Sequence, residues 1–155
     1  MASLRTRLRS RAAHLVFLLT RPMTLGVRGV VVGPDDSVLL VRHSYVAGWH
    51  FPGGGVEAGE TCVEALAREL EEEAKVAIRS PPVLHSLFFN ATASRRDHVA
   101  VYVVRDFAVL GDRAPDREIA EARFFPRREL PSGASAGTRA RIAELFDGAP
   151  VQDFW

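Results

Sequence analysis

Three consecutive glycines, Gly53 to Gly55, follow Pro52 and open onto a segment written for a helix. Pro52 stops the short extended piece Trp49-His50-Phe51, and the glycines permit a backbone turn that side chains would block. Thr61 and Glu64 make the T-x-x-E pattern of a capping box, so Thr61 is the expected N-cap and the helix is expected over Cys62 to Ala74. At about 100° per residue, Val63, Leu66, Ala67, Leu70 and Ala74 share an apolar stripe. Glu69, Glu72 and Glu73 fall on an edge beside it, while Glu64 and Glu71 fall on the far side. Carboxylates at i, i+3 and i+4 stand about 5–6 Å apart and repel. One reading is a solvated acidic face paired with arginines. The place of the three beside the core, behind a turn that offers carbonyl oxygens, suggests another. Hard divalent cations take oxygen ligands and would turn that repulsion into binding.

The remaining chain supplies strands around this unit. Thr24 to Val32 and Ser37 to Arg42 are rich in β-branched and aliphatic residues, and Gly33-Pro34-Asp35-Asp36 is turn chemistry, which predicts a hairpin-like pair. Further strands are expected at Val76 to Ile78, Val83 to Asn90, His98 to Val109 and Ala122 to Phe125. Arg127 to Leu130 reads as a helical turn. Ala136 to Phe146 reads as a second long helix with Ile142, Leu145 and Phe146 inward. With no repeat and no linker, residues 24–155 form one expected domain of the α/β (α+β) class, a mixed sheet with helices on its faces.

Residues 1–28 hold six arginines and no acid. Subtracting that +6 from the net charge of +1 leaves −5 for the rest of the chain. Residues 1–23 are therefore read as a basic helical extension that lays Leu8, Leu15, Leu18 and Leu19 on the domain, before Pro22 ends it. An organelle transit peptide is the rival reading, and a homodimer contact stays open for the same segment. A single cysteine, Cys62, excludes an intramolecular disulfide and is compatible with a reducing compartment, which points to the cytoplasm. No apolar run approaches the roughly 20 residues needed to span a bilayer, so no membrane partner is expected.

The central stretch resembles the Nudix hydrolases, whose box reads G-x5-E-x7-R-E-U-x-E-E-x-G-U with U a bulky aliphatic residue. Gly54, Glu60, Arg68-Glu69-Leu70, Glu72-Glu73 and Val76 match it, and Lys75 stands where the pattern has glycine. The Trp49-His-Phe-Pro-Gly-Gly run before the box and Glu118, Phe124-Phe125 and Glu129-Leu130-Pro131 after it also look like the family. The resemblance implies an α/β/α sandwich with a central mixed β-sheet. It implies hydrolysis of a diphosphate linked to another moiety, usually a nucleoside, by water attacking phosphorus with Mg²⁺ or Mn²⁺. It also implies metal ligation by Glu69, Glu72, Glu73 and the Gly53 carbonyl, with Glu60 and Arg68 in support. The general base is then a box glutamate or a loop acid, Glu118 first and Glu121 as the alternative. Arg42, Arg95 and Arg96 are candidates for substrate phosphate, and Tyr45, Trp49 and Phe89 for stacking on a base, whereas His43, His50, His85 and His98 show no metal-ligand spacing and read as structural. The implied partner is a small-molecule nucleotide. Two rival readings are a Nudix-fold nucleotide-binding module without catalysis and an RNA 5′-end pyrophosphohydrolase; nucleic acid is otherwise not an expected partner.

Overall fold

Strands buried on both faces account for the near-continuous apolar runs of the sequence. The computed structural model describes residues 16–17 and 19–155. Its elements are β1 (Thr24–Val31), β2 (Ser37–His43), α1 (Cys62–Ala74), β3 (Val76–Ile78), β4 (Val83–Phe89), β5 (Asp97–Val104), β6 (Phe107–Val109), β7 (Ile119–Pro126) and α2 (Ala136–Phe146). β5 pairs in parallel with β1 and antiparallel with β4, which makes this sheet mixed. β2 pairs antiparallel with β7, and β3 with β6. Alternate residues then divide between two cores. Val27, Val31, Leu39, Val41, Ala100 and Val104 pack with Leu66 and Leu70 of α1. Val30, Val32, Val38, Leu40, Val99 and Val101 pack with Phe51, Phe88 and Ile142 of α2. The result is a sandwich with one helix on each face.

Three expectations change. β1 and β2 do not form a hairpin and share only an isolated bridge between Val32 and Val38. The edge of β1 that a hairpin partner would use is taken by the glycine-rich segment. Val27 N–H donates to the Gly54 carbonyl and Gly29 N–H to that of Pro52, each at 2.9 Å. On β2, Val41 exchanges backbone hydrogen bonds with His50. Residues 50–56 are thus the seam between two sheets rather than a loop above one. The strand expected over His98 to Val109 breaks at Arg105-Asp106. There the Asp106 carbonyl accepts Arg79 N–H at 2.9 Å, its carboxylate accepts the Ser80 hydroxyl, and residues 107–109 turn to pair with β3.

The third change concerns the face of α1. Its buried residues are Ala65, Leu66, Leu70, Glu73 and Ala74, and Val63 is exposed. On the helical wheel this buried arc runs from about −40° to +140° of Glu69, which puts Glu73 inside it rather than beside it. The capping box at Thr61 and Glu64 is formed, and Glu64 and Glu71 face solvent. Leu8, Leu15 and Leu18 lie outside the described residues, and Leu19 is 73% exposed. Among the described residues no helix is long and apolar enough to cross a membrane.

Lys75 caps α1 in the left-handed conformation, φ 54° and ψ 40°, with its N–H directed at the Glu71 and Leu70 carbonyls. The helix end thus keeps the shape a glycine would give it, at a cost of about 1–2 kcal/mol for a residue with a Cβ. Glycine's extra freedom in the unfolded chain returns about 0.5–1 kcal/mol of that. Lys75→Gly is therefore expected to raise stability by about 0.5–1 kcal/mol in urea unfolding. A loss of stability would contradict strain at this cap.

Candidate functional site

The site begins where the glycine turn lies against β1. A Cβ on Gly53, whose φ is +140°, would run into the Val27 carbonyl, and one on Gly54 would run into the Glu69 carboxylate. Gly53 needs glycine because strand backbone fills the space beside it, and Gly54 because the Glu69 carboxylate, held by Arg68, fills its own. Gly53 N–H donates to Glu73 Oε2 at 2.8 Å, and the Gly53 carbonyl accepts from the Arg28 guanidinium. The same Arg28 nitrogen reaches the Phe51 carbonyl at 3.3 Å.

Glu60 and Arg68 form a brace along α1. Arg68 Nε and Nη2 donate to the two Glu60 oxygens at 2.8 and 3.1 Å, and Nη1 donates to Glu69 Oε1 at 2.7 Å. Nη2 also meets the Gly55 carbonyl at 3.2 Å, and Glu72 lies 3.6 Å from Nη1. The Arg68 hydrogen bonds hold the Glu60 carboxyl down at about 2, and Glu60 followed by Glu69 raise Arg68 above its ordinary value. A planar guanidinium bridging two carboxylates in this way fixes Glu69 in direction as well as in charge.

Glu73 is 5% exposed. Burial pushes its carboxyl up to about 7; the Gly53 N–H and Arg28 oppose the rise, while Glu69 and Glu118 add to it. His43 Nε2 approaches Glu73 Oε1 at 3.6 Å. Burial first and Arg28 second push His43 below its ordinary value, so this approach near neutral pH is a contact with a neutral ring rather than an ion pair.

Glu118 comes from the segment before β7, far from the box in sequence. Glu69, Glu73 and Glu118 line two neighbouring cavities and form the wall between them. The first, of about 530 Å³, is also lined by Arg68, Glu72, Lys75, Arg113 and Asp116. The second, of about 420 Å³, is also lined by Arg28, His43, Tyr45, His50 and the three glycines. Lys75, which the helical wheel turns away from the carboxylates, thus borders the same cavity as they do.

The other candidates lie elsewhere. Arg42 and Glu121 are direct cross-strand partners, joined at 3.2 Å, and their neighbours Val41 and Ala122 face α1. Side chains alternate along a strand, so Arg42 and Glu121 point to the opposite face, where Arg42 lies over Trp49. Trp49 packs edge-on against Phe125, and Phe89 packs at a tilt against Phe154. Arg95 and Arg96 are exposed in the loop before β5, where the Arg96 carbonyl accepts Thr24 N–H, and neither borders the two cavities. Sequence reasoning passed over Arg28, Arg113 and Asp116 and read His43 and His50 as structural, whereas both rings border the second cavity. Period-two alternation from Leu39 and Val41 was the one signal that could have turned His43 toward α1.

The donor set suits a hard divalent cation, with three carboxylates on one helix edge and the Gly53 backbone in the same wall. Glu73 is short of positive charge, since burial and two nearby acids outweigh Arg28. Among the described residues no group of three or more His, Cys, Asp or Glu side chains is already gathered at ion-holding geometry. Glu69 is turned to Arg68 and Glu73 to Gly53, so the chemistry of the donors fits while their present partners are protein groups.

The family model of the NUDIX domain matches residues 22–146. The 8-oxo-dGDP phosphatase NUDT18 of Homo sapiens is 31% identical over 124 residues, 77% of this chain and 37% of that protein. The RNA pyrophosphohydrolase of Halorhodospira halophila is 54% identical over 46 residues, 29% of this chain and 25% of that protein. The ADP-ribose pyrophosphatase of Methanocaldococcus jannaschii is 28% identical over 65% of this chain and 61% of that protein. In each case the chain spans less than two thirds of the relative's length. Among solved structures, the MutT NUDIX hydrolase of Burkholderia pseudomallei superposes with a TM-score of 0.68 at 22% identity, over 79% of this chain and 97% of that one, which shows the shared fold.

The raised Glu73 carboxyl makes a pH prediction for the protein in excess chelator. Its folded value of about 7 lies above the ordinary carboxylate value, so its contribution is fully present below about pH 4.5 and is lost as pH rises through 7. The Tm of wild type minus that of Glu73→Gln is therefore expected to fall between pH 5 and pH 8. A difference that stays level across this range would contradict a buried, charge-poor Glu73.

Proposed function

This chain belongs to the Nudix family, and from that premise we propose that it hydrolyses the diphosphate bond of a nucleoside-diphosphate-linked compound with Mg²⁺ or Mn²⁺ as cofactor. The observation that carries the reading is the wall of Glu69, Glu73 and Glu118 shared by two cavities of different character. Lys75 borders one beside the carboxylates that would hold the cation, which together suit phosphate oxygens. Tyr45, His43 and His50 border the other, which suits a nucleoside.

Glu69, Glu72 and Glu73, with the Gly53 carbonyl, would hold the cation. When bound, it supplies positive charge to the phosphate oxygens and makes water more acidic. Arg68, held by Glu60, keeps Glu69 aimed at the cavity. Glu118 shares that wall from the loop before β7 and is the candidate to take the proton as water oxygen bonds to phosphorus. The bridging P–O bond breaks, and its electrons leave with the departing phosphate. The relatives' names support the reaction class and diverge in substrate.

The test is a panel of 8-oxo-dGDP, ADP-ribose and a 5′-triphosphate RNA oligonucleotide with Mg²⁺. Turnover is expected on at least one member, abolished by EDTA and reduced by at least about 100-fold in Glu72→Gln, as losing several kcal/mol of charge stabilisation requires. Binding without turnover across the panel would sink hydrolysis and leave a nucleotide-binding module. Turnover of the RNA alone would assign the substrate to RNA 5′ ends.

A further inference from the structure

The loop joining β6 to β7 is tied to the end of α1 at its start by the Leu110 N–H, which donates to the Lys75 carbonyl at 2.7 Å, and further along by the side chain of Arg113. Arg113, 11% exposed, donates from Nε to the Glu72 carbonyl at 2.9 Å, in the last turn of the helix, where carbonyls lack helical partners. Its Nη1 donates to the Ala114 carbonyl and its Nη2 to Asp116 Oδ2 at 2.5 Å. The other Asp116 oxygen accepts the backbone N–H groups of Glu118 and Ile119, both at 2.8 Å. Those two N–H groups, followed by Arg113, hold the Asp116 carboxyl down at about 2, so it is ionised at any working pH. From the other side, Ser44 N–H donates to the Glu118 carbonyl at 2.9 Å.

These contacts run without a gap from the backbone of the carboxylate helix, through Arg113 and Asp116, to the peptide N–H of Glu118. We propose that Arg113 and Asp116 are a positioning pair that fixes where Glu118 stands relative to Glu69 and Glu73, without themselves touching the reacting atoms. The proposal rests on the reading of Glu118 as proton acceptor. Arg113 also borders the cavity, which would suit a phosphate ligand. Three of its five N–H groups already donate within the loop or to α1, however, and its charge is paired with Asp116, which is the geometry of a group holding the loop. Asp116 adds a carboxylate that would repel phosphate, and its two accepted N–H bonds give it a task of its own. Loop placement of this kind matters for rate because a 1 Å error in a catalytic group can cost about 100-fold.

A double-mutant cycle in Mg²⁺ with 8-oxo-dGDP and ADP-ribose as probes tests it, alongside amide hydrogen exchange on residues 111–119. Arg113→Ala is expected to lower kcat by about 10- to 100-fold with KM within about twofold, and to have no further effect once Glu118→Gln is present. Asp116→Ala, which removes the acceptor for Glu118 and Ile119, is expected to repeat that pattern. Both variants should keep their Tm within a few degrees and lose exchange protection at Glu118 and Ile119. A raised KM, or a loss that adds to that of Glu118→Gln, would overturn positioning in favour of direct phosphate contact. Glu118→Gln at the wild-type rate would overturn the positioning of a proton acceptor while leaving the diphosphate reading intact. Unchanged protection in both variants would overturn the mechanical link even if neither probe is turned over.

Discussion

One buried hydrogen bond, from Gly53 N–H to the Glu73 carboxylate at 2.8 Å, joins the glycine turn to the acidic helix. A carboxylate in a core is costly unless something satisfies it. Here the satisfying donor is the backbone of the segment that separates the two sheets. The turn is held on its other side by β1, through Val27 and Gly29. Strand, turn and helix are therefore locked in one relative placement, and rotating α1 would leave Glu73 without its donor or lift Leu66 and Leu70 out of the core. The carboxylates inherit their direction from that lock.

The sheet then decides which side chains can join them. β2 and β7 present one face to α1 and the other to the core beneath α2, and alternation admits or excludes each residue accordingly. Arg42 and Glu121, both attractive on charge, satisfy one another on the excluded face. His43 follows Arg42 and reaches Glu73. Because Glu73 is charge-poor and His43 is held neutral, the second cavity gains a polar wall in which Arg28 is the fixed cation among the described residues.

The loop before β7 completes the wall by a different means. It carries no regular structure between Val109 and Ile119, so its placement depends on a few backbone hydrogen bonds at its ends and on side-chain ties between them. Arg113 supplies the tie to α1 and Asp116 the tie to its own following backbone. An arginine and an aspartate three residues apart look like any exposed pair in a sequence. The Glu72 carbonyl at the helix end gives Arg113 something to hold, and the Glu118 and Ile119 N–H groups do the same for Asp116.

The local parts were legible in the residues themselves. The capping box, the extent of α1 and the i, i+3, i+4 carboxylates all follow from interactions within a few residues, and backbone geometry fixes them before any sheet forms. The brace of Glu60 and Arg68 spans eight residues and entered through the family pattern. Tertiary structure alone decided the rest. The hairpin expected of β1 and β2 gave way because residues 50–56 compete for the same strand edges, and the winner of that competition is settled by the whole chain. Glu73 moved from the border of the core into it because the buried arc of a helix is set by what packs on it, not by its own apolar stripe. Arg28, Arg113 and Asp116 reached the site through strand pairing and loop closure, whose partners lie tens of residues away and leave no periodic trace in the sequence.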